Sequence, residues 1–158
     1  MIQRIQSVYL LLVIALCTSI YFLPLSSKIS ITDTTLVYKM DAFNIYQIKA
    51  GEASIFSAVL FNSIINGVIG FLSLFAIFKF KNRGLQLKIC KILLLISTAF
   101  FALLFYETDR MIPGTSNDFK TIYLPGIYAA VIIPILVFMA LKAIKKDDDL
   151  VRSVDRIR

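Results

Sequence analysis

Glu107, Asp109 and Arg110 are the closest approach to a catalytic constellation in this 158-residue sequence. Two carboxylates beside a guanidinium can divide acid and base roles when their surroundings push their pKa values apart. They need a nucleophile or a proton relay to work with, and the chain contains no histidine. Its two cysteines, Cys17 and Cys90, lie inside apolar runs with no further ligand residues at metal-binding spacing. They read as small hydrophobic fillers. Glu107, Asp109 and Arg110 then read as a solvated salt-bridge cluster at a helix end. The expectation is a protein that is not an enzyme, with no catalytic residue, no metal ligand and no cofactor.

A second pattern is polar without being ionisable. Asn62, Ser63, Asn66, Gly67, Gly70 and Ser73 fall within one apolar run. From Ser63 onward they recur three and four apart, which places them on one face of a helix. Small residues at that spacing allow close helix approach, and the amides can bond across the contact for about 0.6–2 kcal/mol each. These six residues are predicted to pack helices together. A proton-coupled carrier would keep an Asp, Glu, His or Arg inside its spans, and the span centres here are uncharged.

The elements that carry these residues are four apolar runs: 8–25, 55–78, 89–106 and 122–144. Hydrophobic residues make up 58% of the chain, above the 45–50% or so of soluble domains. Each run approaches the roughly 20 helical residues that cross a bilayer. The first is expected to be retained rather than cleaved, because 22–27 offers no A-x-A-like site. Twelve of the 17 basic residues fall in the N-terminus, the second connection and the tail, and five in the other two connections. The bias predicts both termini in the cytoplasm. The net charge of +7 is therefore a topology signal, and no nucleic-acid partner is expected.

The connection 26–54 is long for a turn. Lys28–Thr32 alternates polar and apolar, Asp33-Thr34 is a turn candidate, and Thr35–Lys39 is rich in β-branched and aromatic residues. A small β-hairpin is predicted there, with Ala42–Ile48 as a candidate third strand. In the connection 107–121, Pro113-Gly114 and Ser116-Asn117 are turn signals, and Gly84 is the expected breaker between the second and third runs.

The tail 145–158 reads KKDDDLVRSVDRIR. Its five bases nearly cancel against four acids, which favours a protein surface over anionic lipid. Leu150, Val151, Arg152, Val154, Asp155 and Ile157 are the predicted partner-docking residues, an apolar stripe flanked by pairable charges. The opening MIQRIQ and the closing KDDDLVRSVDRIR, together with the four runs between, resemble a domain-of-unknown-function family of small four-helix membrane proteins of Bacteroidetes-type bacteria. Asp149 stands where that family would place glutamate. The resemblance implies an inner-membrane protein and supplies no catalytic residues.

The sequence thus predicts an all-α membrane protein, 1–158 as one domain. Its expected form is a four-transmembrane-helix antiparallel bundle in the bacterial inner membrane, with a hairpin-like periplasmic cap between the first two helices. The expected role is a non-enzymatic accessory or assembly subunit, with the lipid bilayer and a membrane or cytoplasmic protein as partners. The alternative is a passive conduit or carrier for a small or lipophilic molecule.

Overall fold

The computed structural model describes residues 3–31, 35–49, 51–80, 82–111 and 119–157. Helix α1 (Gln3–Ile20) leads into strands β1 (Ser26–Ser30), β2 (Leu36–Met40), β3 (Asn44–Lys49) and β4 (Glu52–Ala58). Helices α2 (Leu60–Phe78) and α3 (Arg83–Arg110) follow, then β5 (Phe119–Tyr123) and α4 (Pro125–Ile157). The predicted turns at Asp33-Thr34, Pro113-Gly114 and Ser116-Asn117 lie outside the described residues.

The all-α expectation is overturned. Five strands form one antiparallel sheet in the order β4-β3-β2-β1-β5. The predicted hairpin is its middle, with Ser26 opposite Met40 and Ile29 opposite Val37. Strands β4 and β5 were hidden in the ends of apolar runs. Ile55–Ala58 were assigned to the second span, and Ile122-Tyr123 to the fourth. Hydropathy alone does not separate a short apolar strand from the first turn of a buried helix. Gly51, at φ 90°, makes the tight reversal between the paired Lys49 and Glu52. Phe56 is the extra residue of a bulge, because Ile45 faces Ser57 while Tyr46 already faces Ile55. Its ring meets Tyr38 edge-on at 5.4 Å.

The four-span expectation is corrected as well. Three helices, α2, α3 and α4, are long and apolar enough to cross a membrane, and the apolar part of α1 (Ile5–Ile20) is shorter. The first run was read through to Leu25. The helix ends earlier because Tyr21, Phe22 and Leu23 turn back onto the carbonyls of Thr18 and Ser19, just ahead of Pro24. At the other end of α2, Asn82 caps α3 by accepting from the Leu85 amide at 3.1 Å. Gly84, the predicted breaker, is the second residue of α3.

Each helix packs against two others in a ring, α1 with α2 and α4, and α3 with α2 and α4. Leu10, Val13, Cys17 and Ile20 form the inward stripe of α1, and Ile133, Val137, Ala140 and Ile144 that of α4. The outward faces are apolar too: Leu95 is 71% exposed and Phe71 67%. Large apolar side chains on both faces suit a lipid surround and not water. The chain is built as a membrane protein. Its sheet lies at one end of the helices, and the starts of α1 and α3 lie with the last turns of α2 and α4 at the other.

Candidate functional site

At the sheet end, α2 presents its polar face to three neighbours. The Asn62 amide donates to a Glu107 carboxylate oxygen on α3, and the Ser63 hydroxyl donates to the Ala42 carbonyl of the β2–β3 turn. The Asn66 amide reaches the Cys17 carbonyl of α1 at 2.8 Å. Tyr21 closes the junction by donating to the Ser63 carbonyl at 2.7 Å. Ser73 bonds within its own helix, to the Ile69 carbonyl. Asn62 and Asn66 are both buried, and the Oδ1 of each has no hydrogen-bond partner among the described residues. Gly67 and Gly70 lie where α1 comes close. A Cβ at Gly67 would stand 3.2 Å from the Tyr21 hydroxyl, and one at Gly70 3.7 Å from the Cys17 Cβ. A shallow groove of about 250 Å³ runs there, walled by Ile14, Phe71 and Leu74.

The carboxylate–arginine cluster does not assemble. Glu107 turns to Asn62, and the Arg110 guanidinium donates to the Tyr106 hydroxyl of its own helix at 2.7 Å. The backbone carbonyl of Asp109 accepts from the Lys28 ammonium at 2.7 Å. Lys28 is buried on β1, and beside it the Ser26 and Thr108 hydroxyls meet at 3.2 Å. Burial pushes the Lys28 pKa below its ordinary value of 10.5, and the Asp109 charge pulls it partly back. Among the described residues no group of three or more His, Cys, Asp or Glu is placed to hold a metal ion. Cys17 and Cys90 are buried free thiols. What this end offers is anchorage between sheet and helices.

The opposite end has one polar node. Asp147 of α4 is only 6% exposed, and its carboxylate accepts from the Gln6 side chain of α1 at 2.6 Å. Arg83, at the start of α3, donates to the Asp147 backbone carbonyl at 3.1 Å. Nearby Gln86, also buried, donates to the Ala76 carbonyl at 3.2 Å and so ties α3 to the end of α2. In the sequence, Asp147 counts only as one of the four acids that nearly cancel the tail's five bases. A carboxylate in a run of three aspartates gives no sign of which one turns inward, although helical phase puts Asp147 seven residues past Ala140 and three past Ile144, both buried.

Beyond Asp147 the helix continues to Ile157. Leu150 is 47% exposed and Val151 43%. Of the other predicted docking residues, Arg152, Val154, Asp155 and Ile157 lie on this helix, and their side chains are outside the described ones. The node is thus the last buried position of α4 among the described side chains. It also joins the two segments that carry the sequence resemblance, since Gln6 belongs to the opening hexamer and Asp147 to the closing block. No curated protein matches the chain. A family model does, over residues 2–157, so both joined ends and everything between them fall within it: the chain belongs to the family described as a domain of unknown function (DUF4293).

Proposed function

We propose that this protein is a non-enzymatic accessory or assembly subunit of a larger envelope complex in the bacterial inner membrane. Both termini face the cytoplasm, and α4 beyond Asp147 is the docking element. The observation that carries the reading is the position of Asp147. Its bond to Gln6 and the Arg83 bond to its carbonyl fix α4 at that point, and the helix then runs ten residues further to Ile157 with Leu150 and Val151 exposed. A topology marker needs only basic residues near the membrane, and Lys142, Lys145 and Lys146 supply these before the node. The partner is a protein surface with an apolar groove and a rim of both charges. Leu150, Val151, Val154 and Ile157 enter the groove, and Arg152 and Asp155 set register at its edge.

Co-purification in mild detergent from native membranes tests this. The chain truncated after Asp147 should accumulate in the membrane like the parent and lose a stoichiometric partner. Val151→Asp with Val154→Asp should reproduce the loss. A truncated chain that keeps every protein bound by the parent sinks the proposal. So does one that fails to accumulate, because the tail then packs on its own helices.

A further inference from the structure

On either side of the node, α4 carries a second stripe. Leu141, Lys142, Lys145, Lys146, Asp149 and Leu150 line one trough of about 470 Å³ along the helix. Positions 142, 145, 146 and 149 are three and four apart, so they share a face. All four of these charged side chains are exposed. Counting charges along the sequence makes this segment nearly neutral, but the fold withdraws one of its acids. The Asp147 carboxylate points inward to Gln6 and is buried. The trough is left with three ammonium groups spread over about 6 Å of helix and a single carboxylate beyond them.

The level of these groups follows from the helix. From Pro125 to Lys142 is about 26 Å of helix at 1.5 Å per residue, close to the roughly 30 Å thickness of bilayer hydrocarbon. The Lys142 ammonium also lies 5.4 Å from the Phe138 ring centre, held back along the apolar part of α4. Lys142, Lys145 and Lys146 therefore bracket the depth of lipid phosphates over about 6 Å of helix. Asp149 stands about 6 Å further from the hydrocarbon than Lys145. Leu141, on the inner side, borders the acyl region.

This order of groups, apolar, then cationic, then anionic, complements one class of lipid headgroup. We propose that the trough binds an aminophospholipid of the phosphatidylethanolamine type. Its phosphate lies among Lys142, Lys145 and Lys146, and its primary ammonium donates to the Asp149 carboxylate. A choline headgroup has the same charges and no N–H to donate, so it forfeits the Asp149 hydrogen bond. A glycerol headgroup keeps the phosphate contact and brings no positive charge to Asp149. Asp149 and Leu150 lie just past the node, and Leu150 is shared with the docking stripe. The lipid is therefore read on the purified full chain with no protein partner bound, where the outcome does not depend on the docking reading.

Native mass spectrometry of the full chain, released from mild detergent after exposure to an equimolar mixture of phosphatidylethanolamine, phosphatidylcholine and phosphatidylglycerol, reads the retained lipid directly. The parent should retain the ethanolamine lipid over the choline lipid. Lys145→Gln with Lys146→Gln should lower total phospholipid retention by about fivefold per lysine removed. Asp149→Asn should leave total retention in place and shift it from the ethanolamine lipid to the glycerol lipid. Equal retention of ethanolamine and choline lipids by the parent overturns the proposal without recourse to any variant. An ethanolamine preference that survives Asp149→Asn overturns it as well. Inorganic phosphate at millimolar concentration should not displace the lipid, and displacement would mean that a free anion is the ligand.

Discussion

Among the described residues each end of the helices buries one charged side chain, and the two are held by opposite means. At the sheet end, Lys28 sits in the middle of β1, facing Tyr38 of β2 on one side and Thr121 of β5 on the other. Backbone ladders fix its place whatever its side chain does. Its ammonium adds a bond to the Asp109 carbonyl in the last turn of α3, where the helix dipole favours a cation. Asp147, at the opposite end, has no sheet around it. Its place depends on side-chain bonds, one from Gln6 and one from Arg83. The comparison teaches where each end is vulnerable. The sheet end is closed by main chain and fails through backbone collision, whereas the terminal end is closed by a few polar side chains and fails through their removal.

The largest expected effect follows from the first half of that statement. Gly126 opens α4, and its amide bonds the Pro24 carbonyl at 3.1 Å. A Cβ there would lie 2.8 Å from that same carbonyl oxygen and 2.9 Å from the Leu25 Cδ2. The oxygen belongs to the chain leaving α1, which is bonded onward from Leu25 to both Met40 and Leu124, and it has little room to yield. Gly126→Ala should cost about 3 kcal/mol, the upper part of the range for overpacking. Thermal unfolding of the purified protein in detergent measures it. A loss under about 1 kcal/mol would mean that the two chain segments slide apart easily, and the sheet end would not be the rigid one.

Asp147→Ala comes next. It removes a charged acceptor and strands the buried Gln6 amide, for about 2 kcal/mol, in the range for hydrogen bonds to ionised groups. The Arg83 bond to the main chain of residue 147 survives the change, which keeps the loss below that at Gly126. A cycle with Gln6→Ala isolates the pair, and a coupling of about 1 kcal/mol or more is expected between directly bonded groups. Additive single losses would show that Asp147 acts through burial alone and that the terminal end is not pinned at this node.

How much of this was legible follows the same division. The apolar runs that became α2, α3 and α4 stand out in the sequence because lipid demands apolar residues on every face, and length then decides. The β1–β2 hairpin showed through its alternation. The rest of the sheet did not, because β4 and β5 adjoin helices and their Ile55, Phe56 and Ile122 merge into the hydrophobic runs. The end of α1 was misplaced because Tyr21, Phe22, Leu23 and Leu25 are as apolar as a span, and only Pro24 interrupts them. The polar face of α2 could be seen by its spacing, but its partners could not. Cys17, Ala42 and Ser63 enter those bonds through main-chain carbonyls, which every residue has and no sequence pattern marks. Lys28 and Asp147 gave no warning at all. Charged residues are seldom fully buried, so nothing in their type points inward.

Lys28 supplies the smallest effect and the sharpest sign. Its pKa is lowered in the folded protein, first by burial, with Asp109 opposing. Below the lowered value both folded and unfolded chains carry the proton, and the folded chain bears the full cost of a buried ammonium. Between that value and the ordinary 10.5 the unfolded chain still holds a proton that the folded one has released. Stability therefore rises with pH through this window and levels off above it. Lys28→Met keeps the strand and removes the titration. The parent should gain stability relative to the Met variant as pH climbs toward 10.5, in paired unfolding curves where all other groups titrate alike. A parent that instead loses ground as pH rises would show its folded pKa raised, with the Asp109 attraction outweighing burial. Lys28 would then be held, as Asp147 is, by what its own side chain bonds, and the two ends would no longer differ in kind.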